Sequence, residues 1–290
     1  MKQTNRSKGI MFILMAAFFF ACMNVCVRLA GDIPTIQKSF FRNAVAFLIA
    51  TIILLREGKG FKPHDFHNWP VFLARAIFGT IGLLCNFYAV DHLMLSDASM
   101  LSKMSPFFAV IASYFLLKEK ISPVQALTLL GAFLGAMCIV RPTFHNMVLI
   151  PSIAGLMGGF CAGTAYTLVR VLGQRGERNP LIVFVFSGFS CLVAVPFILF
   201  DYHPMTGAQW LALLGAGLFA AGGQFTITAA YTNAPAREIS VYDYSQVIFS
   251  ALLGLVIFGD IPDLLSYVGY ALIFAMAILN WRHNNRKQPA

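Results

Sequence analysis

Ten apolar segments follow one another along this 290-residue chain, and each is long enough to cross a lipid bilayer. A helix needs about 20 apolar residues to span a hydrocarbon layer of about 30 Å. The segments cover residues 9–28, 35–55, 71–90, 97–117, 123–140, 149–171, 180–200, 208–231, 238–258 and 263–281. Prolines lie near most segment ends, and only Pro106 and Pro196 are expected within helices. The sequence therefore predicts an all-α polytopic membrane protein with ten transmembrane helices.

The composition excludes the main alternatives to a membrane protein. Hydrophobic residues make up 58% of the chain and charged residues 11%, whereas soluble domains carry about 25% charged residues. A soluble enzyme, a disordered chain and a disulfide scaffold are thereby excluded. The net charge of +9 comes from Lys and Arg that lie between the apolar segments. We therefore expect the protein to lie in a lipid bilayer and not to bind nucleic acid.

No motif of metal, cofactor or catalytic chemistry is found in the sequence. The six cysteines lie inside apolar segments without Cys-x-x-Cys spacing, and His64 and His67 lie in a loop without further ligands nearby. The chain has no GxxxxGK[ST], GxSxG or HExxH motif. We expect no cofactor, no metal site, no catalytic residues and no enzymatic activity.

Basic residues are concentrated on alternate connections, which predicts the orientation of the chain. One side carries Lys2, Arg6, Lys8, Arg56, Lys59, Lys62, Lys118, Lys120, Arg175, Arg178, Arg237, Arg282, Arg286 and Lys287. The other side has Arg141, with Arg28 and Lys38 at helix ends, and carries Asp32, Asp91, Asp97, Asp201, Asp260 and Asp263. Because basic connections remain in the cytoplasm, we predict a multi-pass protein of a bacterial-type cytoplasmic (inner) membrane with both termini cytoplasmic. The first segment is longer than a signal-peptide core and is expected to be retained.

The chain contains an internal repeat that divides it at about residue 147. Val27-Arg28 aligns with Val169-Arg170, and Glu119 aligns with Asp260, at offsets of about 141–143 residues. We predict a first five-helix repeat over 1–146 and a second over 147–290, which ends in a short basic tail. An odd number of helices per repeat requires the second to insert upside-down. Inverted repeats of this kind build secondary transporters whose binding site lies at mid-membrane.

Several motifs resemble a known transporter family. They are Phe40-Phe41-Arg42, Arg75 with Gly79, Ser105-Pro106, the corner Leu117-Lys118-Glu119-Lys120-Ile121-Ser122, Tyr244-Ser245-Gln246, and Phe258-Gly259-Asp260-Ile261-Pro262-Asp263. With the ten-helix duplicated layout, they resemble the EamA-type members of the drug/metabolite transporter superfamily. The resemblance implies transport of a metabolite or drug-like solute. The motifs Phe40-Phe41-Arg42 and Asp243-Tyr244-Ser245 are also similar to those of a subgroup that contains S-adenosylmethionine importers. Small relatives of the superfamily act as lipid-linked carrier flippases or as accessory membrane subunits, which is the alternative function that the resemblance implies.

Four charged residues lie at membrane depth, away from the ends of the predicted segments, where charges are costly and usually functional. These are Arg42, Arg75, Lys103 and Asp243. The repeat offset places Lys103 beside Asp243, so we predict that the two approach each other. The alternatives are that Lys103 extends to the membrane surface and that Arg75 lies at the interface.

Polar and aromatic residues at helical spacing complete the predicted substrate-binding set. They are Asn24, Asn86, Tyr88, Tyr166, Gln224, Tyr231, Tyr244 and Gln246. Each polar member could equally well serve to join two helices. Glycines with small-xxx-small spacing, such as Gly159 and Gly163, are expected to serve close helix packing.

These features together predict a secondary transporter that moves a small organic solute by alternating access. Asp243 is the candidate for proton coupling, and an uncoupled facilitator fits the sequence equally well. Three buried cations against one carboxylate favour an anionic or zwitterionic solute. A cationic sulfonium solute fits this balance poorly, although Asp243 and Tyr244 could hold a cation. Direction of transport and oligomeric state stay open.

Overall fold

A computed structural model of the chain describes residues 5–93, 95–140, 142, 148–259 and 261–286, with backbone alone at 91, 95–97 and 286. All regular structure in this part of the chain is helical. The helices are α1 Arg6–Leu29, α2 Thr35–Glu57, α3 Trp69–His92, α4 Leu95–Ser102, α5 Ser105–Leu117, α6 Pro123–Val140, α7 Leu149–Gln174, α8 Asn179–Phe200, α9 Gly207–Asn233, α10 Ala236–Ile239, α11 Ser245–Phe258 and α12 Leu264–Arg286. Short 3-10 helices cover Phe66–Asn68 and Ser240–Tyr244.

Within the described ranges, ten stretches are long and apolar enough to cross a membrane, as predicted. Eight are built on single long α-helices. The fourth consists of α4 and α5 together, and the ninth consists of α10, the 3-10 helix Ser240–Tyr244 and α11. The all-α, ten-helix membrane fold is therefore confirmed.

The fourth and ninth spans are interrupted at positions that the repeat alignment makes equivalent. In the fourth span, α4 ends at Ser102 and α5 begins at Ser105, with Pro106 in the first turn of α5. Pro106 therefore lies in a helix as expected, but in its first turn after an interruption instead of inside one continuous helix, because a ring without an N–H is best tolerated there. Pro196 does lie inside α8.

Consecutive spans run in opposite directions and define two ends of the bundle. The start of α1 and the end of α12 lie at the termini end; the end of α1 and the start of α12 lie at the far end. Helices of the first half pack mainly on helices of the second half: α1 on α9, α2 on α8, α3 on α7 and α6 on α12. The two halves therefore share one interface along the whole bundle.

Most of the predicted basic markers lie at the termini end, where ion pairs and hydrogen bonds fix the connections. Arg178 pairs with Glu57 at 2.9 Å. Buried Glu177 accepts hydrogen bonds from the backbone N–H of His64 and from the side chain of Asn68. Asp32, Asp201 and Asp263 lie in connections at the far end. Four further predicted markers lie outside the described residues: Lys2, Arg141, Asp260 and Lys287.

Glycines allow the closest helix approaches, which confirms the packing interpretation of the small-residue motifs. A Cβ atom on Gly163 of α7 would lie 2.5 Å from the carbonyl oxygen of Ser105 and from the amide nitrogen of Ala109 in α5. Gly135 of α6 and Gly269 of α12 approach each other's carbonyl oxygens in the same way. Because these neighbours are backbone atoms, a side chain at either contact would force the helices apart.

We predict that Gly163→Ala lowers the melting temperature of the purified protein, since the added methyl group must separate α5 from α7. Overpacking of this kind costs about 1–3 kcal/mol. Gly207→Ala, at the start of α9, is the matched control, because a Cβ there meets nothing within 4 Å. Thermal unfolding in detergent measures both variants. Equal melting temperatures for the two variants would contradict the packing role of Gly163.

Candidate substrate-binding site

The two interrupted spans meet each other inside the bundle, and Lys103 lies at their contact. The Tyr244 hydroxyl donates a hydrogen bond to the backbone carbonyl of Lys103 at 3.0 Å. The Lys103 ammonium donates to the Gln246 side-chain oxygen at 2.6 Å. This bond holds the ammonium within the bundle and favours a site-facing Lys103 over one that extends to the membrane surface.

Asp243 lies on the same interruption of the ninth span and is 7% exposed. It interacts electrostatically with Lys103, but no direct ion pair or hydrogen bond of its carboxylate is found among the described residues. The direct partner of Lys103 is Gln246 instead of the predicted Asp243. Asp243 also interacts electrostatically with Tyr166, Tyr231 and Tyr244.

Two of these tyrosines form a parallel stack between α7 and α9. The rings of Tyr166 and Tyr231 are 5.0 Å apart with an angle of 11° between their planes. The Tyr231 hydroxyl lies 3.4 Å from the Ser240 hydroxyl. Tyr231 and Tyr244 are fully buried. Of the two stacked rings, only Tyr166 is partly exposed.

Arg42 of α2 and Arg75 of α3 also interact electrostatically with Tyr166. The Arg75 guanidinium lies over the Phe186 ring, 4.1 Å from its centre. Arg75 is 3% exposed, which speaks against an interfacial position. The Nε atoms of both arginines are buried and have no hydrogen-bond partner among the described residues.

We call these residues the buried charged cluster: Arg42, Arg75, Lys103, Tyr166, Tyr231, Asp243, Tyr244 and Gln246. They come from α2, α3, α7, α9 and the two interrupted spans. Both halves of the chain therefore contribute to the cluster. It contains three cations and one carboxylate.

The other four predicted residues lie outside these contacts. Asn86 and Gln224 are at least partly buried, and the side-chain oxygen of each lacks a hydrogen-bond partner in the described part of the chain. Neither oxygen therefore joins two helices through a hydrogen bond. Asn24 and Tyr88 are exposed near the far end, where Tyr88 stacks on His92.

Sequence reasoning did not select Phe186 or Ser187 as parts of this site, whereas helical spacing places Ser240 on one face with Asp243 and Gln246. Phe186 is one of 28 phenylalanines, and no local pattern indicates that it faces Arg75. The Ser187 hydroxyl is buried without a partner among the described residues, as is that of Thr228. Thr228 does carry a signal, since it follows Gln224 by one helical turn.

A buried ion pair joins helices at the termini end of the bundle. Arg170 of α7 lies 3.5 Å from Glu119, which follows α5, and their side chains are 8% and 12% exposed. Arg170 also donates to the carbonyl oxygen of Thr232 in α9, and Ser113 donates to Glu119. These contacts join α5, α7 and α9 beneath the basic connections.

A separate recess of about 570 Å³ opens at the termini end. It is lined by Arg6, Lys120, Ser122, Gln125, Arg237 and Glu238, among others. Arg237 donates to the carbonyl oxygen of Lys120, and Arg6 lies 3.9 Å from Glu238. No member of the buried charged cluster lines this recess.

The described residues contain no group of three or more His, Cys, Asp or Glu side chains that could hold a metal ion. His67 lies 3.2 Å from Asp65 in the loop before α3. All six cysteines are free thiols.

Comparison with known proteins gives relatives along nearly the whole chain. The pseudopaline exporter CntI of Pseudomonas aeruginosa (strain UCBPP-PA14) is 32% identical over 272 residues, which cover 93% of this chain and 94% of the exporter. A riboflavin transporter of Brucella anthropi is 24% identical over 294 residues, covering 94% and 98%. Human solute carrier family 35 member G1 is 25% identical over 297 residues, covering 96% and 81%.

Structure and family comparison agree with these relatives. A solved crystal structure matches with a TM-score of 0.83 at 18% identity and covers 95% of this chain and 98% of its own, which shows a shared fold. The model of the EamA-like transporter family matches twice, over residues 7–141 and 149–282. The chain therefore belongs to the EamA-like transporter family.

Proposed function

We propose that this protein is a secondary transporter that moves a small organic solute across the cytoplasmic membrane by alternating access. The buried charged cluster between the two interrupted spans is the observation that carries this proposal. Interrupted helices at mid-membrane form the solute sites of secondary transporters, and buried charges in membrane proteins mark transport pathways. The named relatives, among them an exporter and a riboflavin transporter, support solute transport in general.

The two halves, 1–146 and 147–290, act in this proposal as inverted repeats that move against each other around the cluster. The packing of first-half helices on second-half helices supports such a motion. The termini end carries most of the basic residues and is therefore the cytoplasmic side in this proposal, because connections rich in Lys and Arg remain in the cytoplasm.

The contacts at the two ends support a state that is closed toward the cytoplasm. Arg170, Glu119 and Thr232 join three helices at the termini end. Asn24 and Tyr88 are exposed near the far end. In the alternate state, the termini-end contacts would separate and the far end would close.

The charge of the cluster favours an anionic or zwitterionic solute. Arg42, Arg75 and Lys103 outnumber the single carboxylate of Asp243. A lipid-linked carrier flippase would need an apolar groove open to the side, and a cationic sulfonium solute would meet an excess of positive charge. The stacked Tyr166 and Tyr231 rings suit an organic portion of the solute.

The transport proposal is tested by metabolite profiling of a strain that lacks this protein and of the same strain complemented with it. We expect at least one small organic solute to differ in its distribution between cells and medium. Complementation with Asp243→Asn is compared in the same assay. Identical profiles for the deleted and the complemented strain would contradict solute transport.

Asp243 is expected to carry the coupled proton, because it is the only carboxylate in the cluster. We predict that Asp243→Asn abolishes solute-driven proton movement in proteoliposomes that contain the solute identified by profiling. Asp32→Asn, in an exposed connection at the far end, is the matched control and should behave as wild type. Equal proton fluxes in wild type and Asp243→Asn would reject the coupling role.

The ion pair at the termini end is expected to set the balance between the two states. We predict that Glu119→Gln raises hydrogen exchange over residues 113–122 and 166–174, because it leaves Arg170 buried without its counter-charge. If the states alternate, exchange over 24–30 and 86–93 at the far end should fall in the same variant. Glu57→Gln, which removes a more exposed ion pair with Arg178 at the same end, is the control.

Hydrogen exchange followed by mass spectrometry distinguishes three outcomes for Glu119→Gln. Opposite changes at the two ends support alternation. Faster exchange at the termini end alone would mean local loosening and would contradict a gate role. Unchanged exchange at both ends would show that the ion pair does not hold the closed state.

A further inference from the structure

We propose that Arg42 and Arg75 form an oxyanion subsite that binds carboxylate groups of the transported solute. The inference rests on the proposed function and narrows it from an anionic or zwitterionic solute to one that carries a carboxylate. The buried charge on the two arginines, their missing partners and the packing that holds Arg75 support it.

The two guanidinium groups form a concentration of buried positive charge. They are close enough to repel each other electrostatically. Arg75 is 3% exposed, Arg42 is half-buried, and both come from predicted membrane spans. Burying a charge away from water is costly unless a counter-charge and hydrogen bonds compensate for it.

The described part of the protein supplies no such compensation. Neither guanidinium makes an ion pair or a hydrogen bond with any described residue, and both Nε atoms are buried without a partner. No ion pair joins the carboxylate of Asp243 to either arginine among the described residues. The carboxylate of Glu119 is occupied by Arg170 and Ser113. An external anion is therefore the partner that this pair of arginines lacks.

Phe186 and Gly79 hold Arg75 in a position suited to such a partner. The Phe186 ring covers one face of the guanidinium at 4.1 Å. That contact leaves the N–H groups, which lie in the plane of the guanidinium, without a protein partner. In-plane N–H groups match the two oxygens of a carboxylate, which can bind in a bidentate manner.

Gly79 explains how Arg75 reaches this position. It follows Arg75 by one helical turn on α3, and a Cβ atom there would clash with an Arg75 Nη atom and would lie 2.6 Å from the Phe186 ring. The absence of a side chain at Gly79 therefore allows the guanidinium to fold along its own helix onto Phe186. Gly79→Ala should therefore move the Arg75 guanidinium without removing its positive charge.

Thermal unfolding of the purified protein in detergent tests the subsite without transport. The probes are succinate and citrate, compared at matched ionic strength with the neutral diamide succinamide and with chloride. We expect at least one carboxylate to raise the melting temperature of the wild type, and succinamide and chloride to leave it unchanged. In Arg42→Gln and Arg75→Gln, this response should weaken. The carboxylate concentration that gives half of the rise in melting temperature should increase at least about tenfold.

Arg56→Gln is the matched control, because Arg56 lies on α2 with Arg42 but is exposed at the termini end. It should retain the full response to carboxylates. Gly79→Ala should weaken the response even if the arginine variants fail to fold. The arginine variants without probe are expected to melt at or above the wild-type temperature, since each removes one of two like charges.

Several results would overturn the subsite. They are the absence of a carboxylate response in the wild type, an equal response to succinamide or chloride, and an unchanged response in Arg75→Gln or Gly79→Ala. A response to chloride alone would identify a resident inorganic ion. Carboxylate binding without solute transport would contradict the proposed function alone, and transport of a solute without a carboxylate would contradict the subsite alone.

Discussion

Lipid offers no hydrogen bonds to a polypeptide backbone, and this constraint determines where the helices can be interrupted. An unsatisfied N–H or C=O in hydrocarbon costs several kcal/mol, so irregular backbone at membrane depth occurs only where protein or water supplies partners. In the fourth span, the Phe107 amide bonds to the Met104 carbonyl, which frees the carbonyl of Lys103. The Tyr244 hydroxyl from the ninth span satisfies this carbonyl. In the ninth span, the Ser245 hydroxyl satisfies the carbonyl of Tyr242. The two interruptions therefore support each other, and part of the buried charged cluster lies where they meet.

Charges are arranged differently in the site and at the termini end. Arg178 with Glu57 and Arg170 with Glu119 are matched pairs at the termini end. In the buried charged cluster, the cations lack direct carboxylate partners among the described residues. Matched pairs hold connections and helices in one arrangement. Charges without partners leave binding capacity for a ligand, which is what a solute site inside a membrane needs.

The fold could be predicted in detail from the sequence, because membrane thickness fixes helix length and the hydrocarbon core selects apolar residues. The predicted segment 123–140 matches the bounds of α6, and most others differ by only a few residues. The interruption before Pro106 was missed, because a proline in an apolar stretch is compatible with both a bent helix and a new first turn. Membership of the cluster could be predicted for the four charged residues, since charge at membrane depth is rare.

The direct partners within the site could not be predicted, because helical periodicity gives the face of a residue and not its neighbour on another helix. Gln246 bonds to Lys103, and Phe186 stacks on Arg75, at sequence separations above 100 residues. The repeat alignment did bring Lys103 next to the ninth span. It could not distinguish Asp243 from Gln246 as the partner, because the two lie within one turn of each other across the interruption.

The same electrostatics couples the site to the termini end. Separating Arg170 from Glu119 while both remain buried would cost about 3–5 kcal/mol, the penalty of leaving a buried charge without its partner. The cost falls sharply if water reaches both groups, because charges interact far more weakly in water than in the protein interior. Opening the termini end therefore requires hydration of Arg170 and Glu119 together. Arg170 is one helical turn from Tyr166 on α7, and Tyr166 interacts electrostatically with both arginines and with Asp243. In the proposed transport cycle, a solute that moves Tyr166 would therefore act on the helix that carries Arg170 and its ion pair with Glu119.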